Sequence, residues 1–264
     1  MRPYRTLPTV RLSPKESVDE DDLVAIESAL EIRLGDEFLA AFVCTPGSEK
    51  ELALGYMLSS GIVGSPAEVQ DIRYAANRCY VTLQSDATPN PQRGFSQIRR
   101  FIGTECSAPE ILRELRTADG IPRNDSHIDI EYDGILQAAD FLRSLQEGRK
   151  KTGALHGALI KQFSTEDYAF VEDLGRHNAA DKAIGLAVEK GLDLTQCLMI
   201  STGRLTADIV SKCAWTRIPL LISFAVATDA GVKFAEKANL TLIGAFKGKR
   251  MRLYHQGAAR ISRN

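Results

Sequence analysis

The chain has 264 residues, of which 44% are hydrophobic and 25% are charged, and its formal net charge at pH 7 is −1. This composition is ordinary for a globular protein with one large domain or two modest ones, and the near-zero charge argues against a broad nucleic-acid-binding surface. No apolar segment follows the basic residues at the start and no run of about 18 apolar residues occurs, so we expect no signal peptide, no membrane span and a cytoplasmic location.

The first half of the sequence predicts a smaller α+β domain, which we place at residues 1–128. Apolar alternation, capping residues and turn signals predict strands and helices of ordinary length there. In chain order these are a hairpin formed by 23–34 and 37–45, a helix between Ser48 and Gly61, a strand over 71–85 and, beyond the Pro-bearing segment 86–94, a helix over 108–120.

The second half, 129–264, predicts an α/β domain, because strand-like and helix-like segments alternate regularly. Such alternation is typical of a largely parallel sheet covered by helices. The predicted strands are 154–163, 167–173, 197–202, 219–225 and 240–246, and the predicted helices are 133–148, 178–190, 206–215 and 229–238.

The five cysteines indicate neither a disulfide framework nor a zinc site, since they are odd in number and widely scattered. Cys44, Cys79, Cys197 and Cys213 stand in apolar segments and are predicted to be small core residues. Cys106 differs, because it stands in the polar segment "FIGTECSAPEIL", where a thiol has no packing reason to be.

Polar residues follow most of the predicted strands of the second half, above all in "EDLGRHNAADKAIG" (172–185). If these strands are parallel, their carboxyl ends lie on one edge of the sheet, where ligands of α/β proteins bind. Arginine side chains and helix N-termini suit phosphates, and Asp173 or Asp181 suits the N–H groups of a guanine-like base. The residues expected at this edge are Arg176, His177, Asn178, Ser201, Arg204, Thr228, Lys247, Lys249 and Arg250.

Structural alternatives exist for each of these residues taken alone. Arg176 and Asp181 could form an ion pair at a helix start, and "KGKRMR" could be a solvated edge strand. His156 could be a core histidine with satisfied hydrogen bonds. The sequence argues against zinc-dependent deamination and triad hydrolysis, because the His-x-Glu/Cys-x-x-Cys and Gly-x-Ser-x-Gly patterns are missing.

Four motifs together resemble one family. "KTGALHGA", "EDLGRHNAADKAIG", "STGRLTADIVSKCA" and "LTLIGAFKGKRMRLY", in this order, are similar to the formate dehydrogenase accessory sulfurtransferase family (FdhD/NarQ). "VAIESALEIRLGDE" and "TPGSEKELALGYMLSSGIV" resemble that family's opening, so the likeness covers roughly residues 23–254.

The resemblance implies a cytidine-deaminase-like three-layer core that has lost its zinc, and a homodimer. It also implies an activity: persulfide sulfur is taken from a cysteine desulfurase and passed to the molybdenum bis(molybdopterin guanine dinucleotide) cofactor of formate dehydrogenase. A GDP-like nucleotide is expected to substitute for this cofactor. The residues expected to bind it are His156, Arg176, His177, Asn178, Asp181, Gly203, Arg204, Ala245, Phe246, Lys247, Gly248, Lys249, Arg250 and Met251.

One departure from the family concerns the sulfur-carrying loop. Family members typically carry Cys-x-x-Cys there, whereas this chain has "GTECSAPE" with Cys106 alone. One thiol suffices to accept and donate a persulfide, so Cys106 is the expected catalytic residue. The alternative is a cofactor-binding chaperone without covalent chemistry. A proton-transfer role fits His156 or His177 equally well at this stage.

Overall fold

The computed structural model describes residues 3–87, 100–102 and 121–263. Its N-terminal part contains a two-stranded antiparallel ribbon, a five-stranded sheet in the order β5-β6-β3-β4-β7, and one helix. These elements are β1 Tyr4–Leu12, β2 Ser17–Ala25, β3 Ser28–Leu34, β4 Glu37–Cys44, α1 Glu49–Ser59, β5 Val69–Ala75, β6 Arg78–Leu83 and β7 Arg100–Ile102.

The C-terminal part is built on a six-stranded sheet in the order β10-β9-β11-β12-β13-β14, accompanied by the parallel pair β8-β15. Its strands are β8 Ile128–Glu131, β9 His156–Gln162, β10 Tyr168–Asp173, β11 Cys197–Ser201, β12 Leu220–Ser223, β13 Thr241–Lys247, β14 Arg250–His255 and β15 Ala259–Ser262. Its helices are α2 Tyr132–Leu145, α3 Glu147–Thr152, α4 Arg176–Glu189, α5 Ala207–Trp215 and α6 Asp229–Ala238.

The expectation of a largely parallel sheet needs correction, because this sheet is mixed. Only β11, β12 and β13 pair in parallel, whereas β9 is antiparallel to both of its neighbours and β14 is antiparallel to β13. The connections β9–β10 and β13–β14 are short, and short connections can join only antiparallel strands. β10 nevertheless runs in the same direction as β11, β12 and β13.

Helices cover both faces of the sheet. Alternate residues of the central strands point to opposite sides, so that Ile160, Met199 and Leu221 pack on the side of α4, α5 and α6. Leu159, Ile200 and Ile222 pack on the side of α2. The chain therefore has three α/β/α layers here, and the predicted covering of the sheet by helices is confirmed.

The N-terminal part packs onto this domain through α1, which lies against α4. A Cβ on Gly55 would lie 1.8 Å from the backbone oxygen of Asp181, and one on Gly185 would lie 2.0 Å from that of Glu51. The two helices cross in direct backbone contact, which only glycine permits. Buried residues of both parts, such as Ile32 and Ile184, share one continuous core, and the domain boundary at residue 128 stays a prediction.

Most predicted elements are present, with two differences in the N-terminal half. The single strand predicted over 71–85 is wrong, because Ala76 and Asn77 turn the chain and β5 and β6 form an antiparallel pair there. Residues 23–25 end β2, and the predicted hairpin is formed by β3 and β4. The helix predicted over 108–120 lies outside the described residues. Within the part of the chain that is described, no helix has the length and hydropathy needed to cross a bilayer.

Candidate functional site

The candidate site lies along one edge of the six-stranded sheet. Asp173 at the end of β10 pairs with His156 at the start of β9, while Ser201 at the end of β11 pairs with Ser223 of β12. Lys247 at the end of β13 pairs with Arg250 at the start of β14. The predicted loops thus follow one another at the strand spacing of about 4.8 Å. We call the set His156, Arg176, His177, Gly203, Arg204 and 247–250 the polar edge.

Two of the predicted motifs meet directly at this edge. A Cβ on Gly203 would lie 2.4 Å from Cδ and 2.7 Å from Cβ of Arg176. The Arg176 side chain therefore lies across the loop that follows β11, where a side chain at position 203 would displace it. Arg204 is exposed beside it. The structure brings "GRHN" and "TGR" together, as the sequence predicted.

The start of α4 carries positive charge where a helix normally favours negative charge. Arg176 and His177 occupy its first two positions, its first turn contains no acid, and the N-cap Gly175 makes no side-chain cap. Cations at a helix N-terminus oppose the helix dipole, whereas anions there are stabilised by it. This arrangement favours an anionic ligand at the polar edge.

His177 is held by a carboxylate of the next helix. Its Nε2 lies 2.7 Å from Oδ2 of Asp208, which stands in the first turn of α5. Burial alone would raise the pKa of Asp208, but the charge and hydrogen bond of His177, with help from Lys212 and Arg176, outweigh it and hold that pKa well below its usual range. This short contact fixes the His177 ring at the sheet edge, and it is an ion pair when His177 is protonated.

His156 has different surroundings. Its Nδ1 lies 3.0 Å from Oγ1 of Thr202, which also accepts a hydrogen bond from the Gly157 amide at 3.2 Å. Burial lowers the pKa of His156, and the charges of Arg149, Arg176 and His177 lower it further. His156 is accordingly neutral at physiological pH.

Two of the predicted binding residues, Asn178 and Asp181, have structural partners inside the protein. The Asn178 amide donates to the Val43 carbonyl at 2.8 Å and to Asp173 at 3.0 Å. Asp173 is fully buried and also forms an ion pair of 2.8 Å with Lys182. Asn178 and Asp173 therefore fix the loop before α4 to the N-terminal sheet.

Asp181 pairs with Lys212, so an Arg176–Asp181 ion pair is not what forms. The ammonium of Lys212 donates to both oxygens of Asp181 at 2.9 Å, and the Ser59 hydroxyl donates to Oδ1 at 2.6 Å. Burial raises the pKa of Asp181, against the opposing effect of Lys212. Burial would lower the pKa of Lys212, but the two nearby carboxylates raise it. The three short bonds favour the ionised pair, and they leave Asp181 no access to a ligand in this arrangement.

The segment 245–251 forms the hairpin between β13 and β14, and its cations point outward. Ala245 and Gly248 have positive φ values of 53° and 59°, and the strand register shifts between Gly244 and Lys247. Phe246 is buried against Phe224, whereas residues 247–250 are exposed. The Tyr132 hydroxyl donates to the Lys249 carbonyl. The hairpin thus presents three exposed cationic side chains, Lys247, Lys249 and Arg250.

A cleft of about 890 Å³ lies beside this hairpin. Its floor is apolar, and its polar residues include two exposed carboxylates, Glu131 and Asp133. The volume is within the range of small-molecule sites. The cleft is lined by Glu131, Tyr132, Asp133, Ile243, Arg250, Met251, Leu253, Gln256, Ile261 and Arg263.

A model of the FdhD/NarQ family matches residues 25–262 of the chain. The chain belongs to this family. Proteins named sulfur carrier protein FdhD are similar over nearly their whole length: that of Nocardia farcinica is 31% identical, with 96% of this chain and 92% of the relative covered, and that of Saccharolobus solfataricus is 30% identical, with 93% of each covered. The resemblance seen in the sequence is confirmed.

A solved structure shares the fold of this FdhD/NarQ member. It belongs to a protein of Desulfotalea psychrophila that is described, provisionally, as a formate dehydrogenase accessory protein. The TM-score is 0.75 at 22% sequence identity, and the match covers 96% of this chain and 97% of the other. This likeness supports the α/β fold described above.

The cysteines of this FdhD/NarQ member divide as the sequence predicted, as far as the structure describes them. Cys44, Cys79, Cys197 and Cys213 are buried. Burial raises the pKa of Cys44, Cys79 and Cys197 to about 12 and raises that of Cys213 as well. Cys106 lies outside the described residues. Within residues 3–87, 100–102 and 121–263, no cluster of His, Cys, Asp and Glu is placed to hold a metal ion.

Sequence reasoning missed several residues of this region, namely Thr202, Asp208, Glu131 and Asp133. Asp208 stands in the quoted motif "STGRLTADIVSKCA", and its place in the first turn of a predicted helix could have drawn attention to it. The carboxylates at 131 and 133 gave no such signal, because they approach the hairpin only through the tertiary fold.

Proposed function

We propose that this protein is an accessory sulfurtransferase of formate dehydrogenase. It takes persulfide sulfur from a cysteine desulfurase onto Cys106 and delivers it to the molybdenum bis(molybdopterin guanine dinucleotide) cofactor. The observation that carries the proposal is the polar edge, where separate loops gather cations and an uncapped helix start. The relatives named sulfur carrier protein FdhD support the sulfur-carrying part.

The residues present fit the nucleotide end of such a cofactor. Arg176, Arg204 and the first amides of α4 suit one set of phosphate oxygens, and the exposed Lys247, Lys249 and Arg250 suit another. Arg204 of the first group follows β11, the second group lies at the hairpin between β13 and β14, and β12 lies between β11 and β13. Two strand spacings amount to about 10 Å. A dinucleotide with several phosphates is long enough to reach both.

In this proposal, the cleft beside the β13–β14 hairpin binds the guanine base. Glu131 and Asp133 lie there beside Arg250 and Met251 of the hairpin. Their carboxylates match the ring N–H and exocyclic amine of guanine, which adenine lacks in that arrangement. We leave Asp181 out of the binding site, since Lys212 and Ser59 hold both of its oxygens.

The sulfur chemistry requires an accessible thiolate, and the four buried cysteines do not provide one. In the accepting step, the Cys106 thiolate attacks the terminal sulfur of the desulfurase persulfide. One S–S bond forms as another breaks, and the desulfurase cysteine leaves as a thiolate. The cofactor, when bound, supplies the acceptor for that sulfur.

The cytidine-deaminase-like ancestry, the homodimer and the cytoplasmic location belong to this proposal too.

The rival function is a cofactor-binding chaperone without covalent chemistry. Substitution Cys106→Ala separates the two when formate dehydrogenase activation and GDP binding are measured together. We expect the variant to bind GDP like the wild type and to leave the dehydrogenase inactive. Full activation by this variant would establish the chaperone function and refute sulfur transfer.

A further inference from the structure

The two histidines of the polar edge have opposite electrostatic surroundings. We propose that Asp208 is a positioning residue that holds His177 as an imidazolium, which forms a fixed cation of the anion-binding site, while His156 stays neutral. The proposal rests on the nucleotide-binding function stated above and assigns a charge state to each member of the pair.

The first argument is the geometry of the ion pair. His177 Nε2 lies 2.7 Å from Asp208 Oδ2, and the side chains are 10% and 27% exposed. Because both groups are largely removed from water, neutralising one of them would leave the other as a poorly solvated charge. The pair is therefore more stable with both members ionised.

The second argument is the set of charged groups around the pair. Lys212 of α5 acts on Asp208 through its charge and donates a hydrogen bond to Asp181 of α4. Arg176, at the start of α4, also acts on Asp208 through its charge. From the sheet, His156 of β9 interacts with His177, and Asp173 of β10 is engaged with Lys182. Burial and the nearby carboxylate of Asp181 oppose the charge on Asp208, but Lys212 and Arg176 act with His177 to favour it, so Asp208 serves His177 as an ionised counter-ion.

His156 provides the internal comparison. Its Nδ1 contacts a hydroxyl, that of Thr202, rather than a carboxylate. The charged groups around it are Arg149 of α3, Arg176 and His177 of α4, and Asp173 of β10. Arg149 and Arg176 are cationic and disfavour a further proton, and protonated His177 would do the same. Two neighbouring histidines in surroundings of opposite character are expected to differ in protonation.

The start of α4 connects this ion pair to ligand binding. An imidazolium at the second position of a helix is unfavourable by itself, because it opposes the helix dipole. Asp208 offsets that cost in the free protein, and a bound diphosphate would offset it further. The ion pair therefore keeps a positive charge at the edge that neutral histidine would lose near physiological pH.

The test combines histidine NMR titration of the full chain with GDP binding by calorimetry at about pH 6 and about pH 8. In the wild type, His177 should remain protonated at a pH where His156 is neutral, and GDP affinity should change little between the two pH values. Asp208→Asn should weaken GDP binding about tenfold at the higher pH, which is the effect of one nearby charge in a partly screened site. At the lower pH, protonation of His177 should restore binding.

Two further variants isolate the effect. His177→Gln should weaken GDP binding at both pH values, since no proton can restore its charge. Asp229→Asn is the matched control: Asp229 stands in the first turn of the next helix, is 85% exposed and pairs only with Lys233 among the described residues. It should bind GDP like the wild type.

Titration of His177 together with His156, or equal GDP affinity of Asp208→Asn and wild type at both pH values, would overturn the proposal. Failure of the wild type to bind GDP at any pH would refute the nucleotide-binding function instead, and the anion-site role of His177 with it. The NMR titration would then still decide whether Asp208 keeps His177 protonated.

Discussion

At the scale of single residues, burial lowers the reactivity of the four cysteines that the structure describes. Thiolate is the reactive form of cysteine, and burial raises the pKa of Cys44, Cys79 and Cys197 to about 12. At about pH 8 such a thiol is roughly 0.01% ionised, whereas an ordinary cysteine is about a quarter ionised. The four described cysteines are therefore poor nucleophiles at neutral pH, which is why the proposed sulfur transfer is assigned to Cys106.

We predict that iodoacetamide modifies Cys106 alone when the folded protein is treated at about pH 8. Peptide mass spectrometry measures the sites of modification. The same treatment in concentrated urea is the control, and there all five cysteines should react. Comparable modification of Cys44 or Cys213 in the folded protein would contradict the account.

Residue-level prediction from sequence worked where the local motif sets the position. Arg176 and Gly203 were expected together because each follows a strand, and they are in contact. The sequence did not predict the partners of Asp181, because Ser59 and Lys212 belong to α1 and α5 and are distant from it in the sequence. A short motif shows which groups are present, but the tertiary fold decides which of them face solvent.

At the scale of elements, the crossing of α1 and α4 fixes the N-terminal part to the α/β domain. We predict that Gly55→Ala destabilises the protein by about 3 kcal/mol or more. Its methyl group would overlap the backbone of Asp181, which cannot move aside as a flexible side chain could. Urea unfolding followed by the fluorescence of the single tryptophan, Trp215, measures this.

The matched control for this helix crossing is Gly134→Ala in α2. A Cβ there would lie 3.7 Å from Cγ1 of Ile130, which is an ordinary contact. We expect this variant to be neutral or to gain up to about 1 kcal/mol from helix propensity. Equal stability of the Gly55 variant and the wild type would contradict the close helix contact.

The hairpin of β13 and β14 is the second element with a testable role. We predict that the double variant Lys247→Glu/Lys249→Glu lowers GDP affinity about tenfold or more and weakens its dependence on salt, because two phosphate-facing cations become anions. Calorimetry at two salt concentrations measures both effects. Lys237→Glu, in the last turn of α6 at the opposite edge of the sheet, is the control, and an equal loss there would refute a specific hairpin role.

Strand and helix positions followed from periodicity, but the direction of β9 relative to its neighbours did not. β9 and β10 are both apolar and of similar length, so the pattern alone gives the same prediction for a hairpin and for a crossover. The short turn between them, which the sequence does show, is the better indicator of antiparallel pairing.

At the scale of the whole molecule, the polar edge and the N-terminal part are linked by buried polar groups. Asp173 accepts from the Thr45 hydroxyl at 2.8 Å, Lys182 donates to the Thr45 carbonyl at 2.7 Å, and Ser59 joins the Asp181–Lys212 pair. The loop that precedes α4 is thereby positioned by both parts of the chain. The match to the FdhD/NarQ family likewise includes both parts, since it extends over residues 25–262.

The most direct test of sulfur transfer is mass spectrometry of the intact protein after incubation with a cysteine desulfurase and cysteine. We predict one additional sulfur atom on the wild type, located at Cys106 by peptide mapping, and none on Cys106→Ala. The sulfur should disappear again when formate dehydrogenase carrying its cofactor is added. A wild-type protein that gains no sulfur under these conditions, yet still activates the dehydrogenase, would contradict the account and leave the chaperone function.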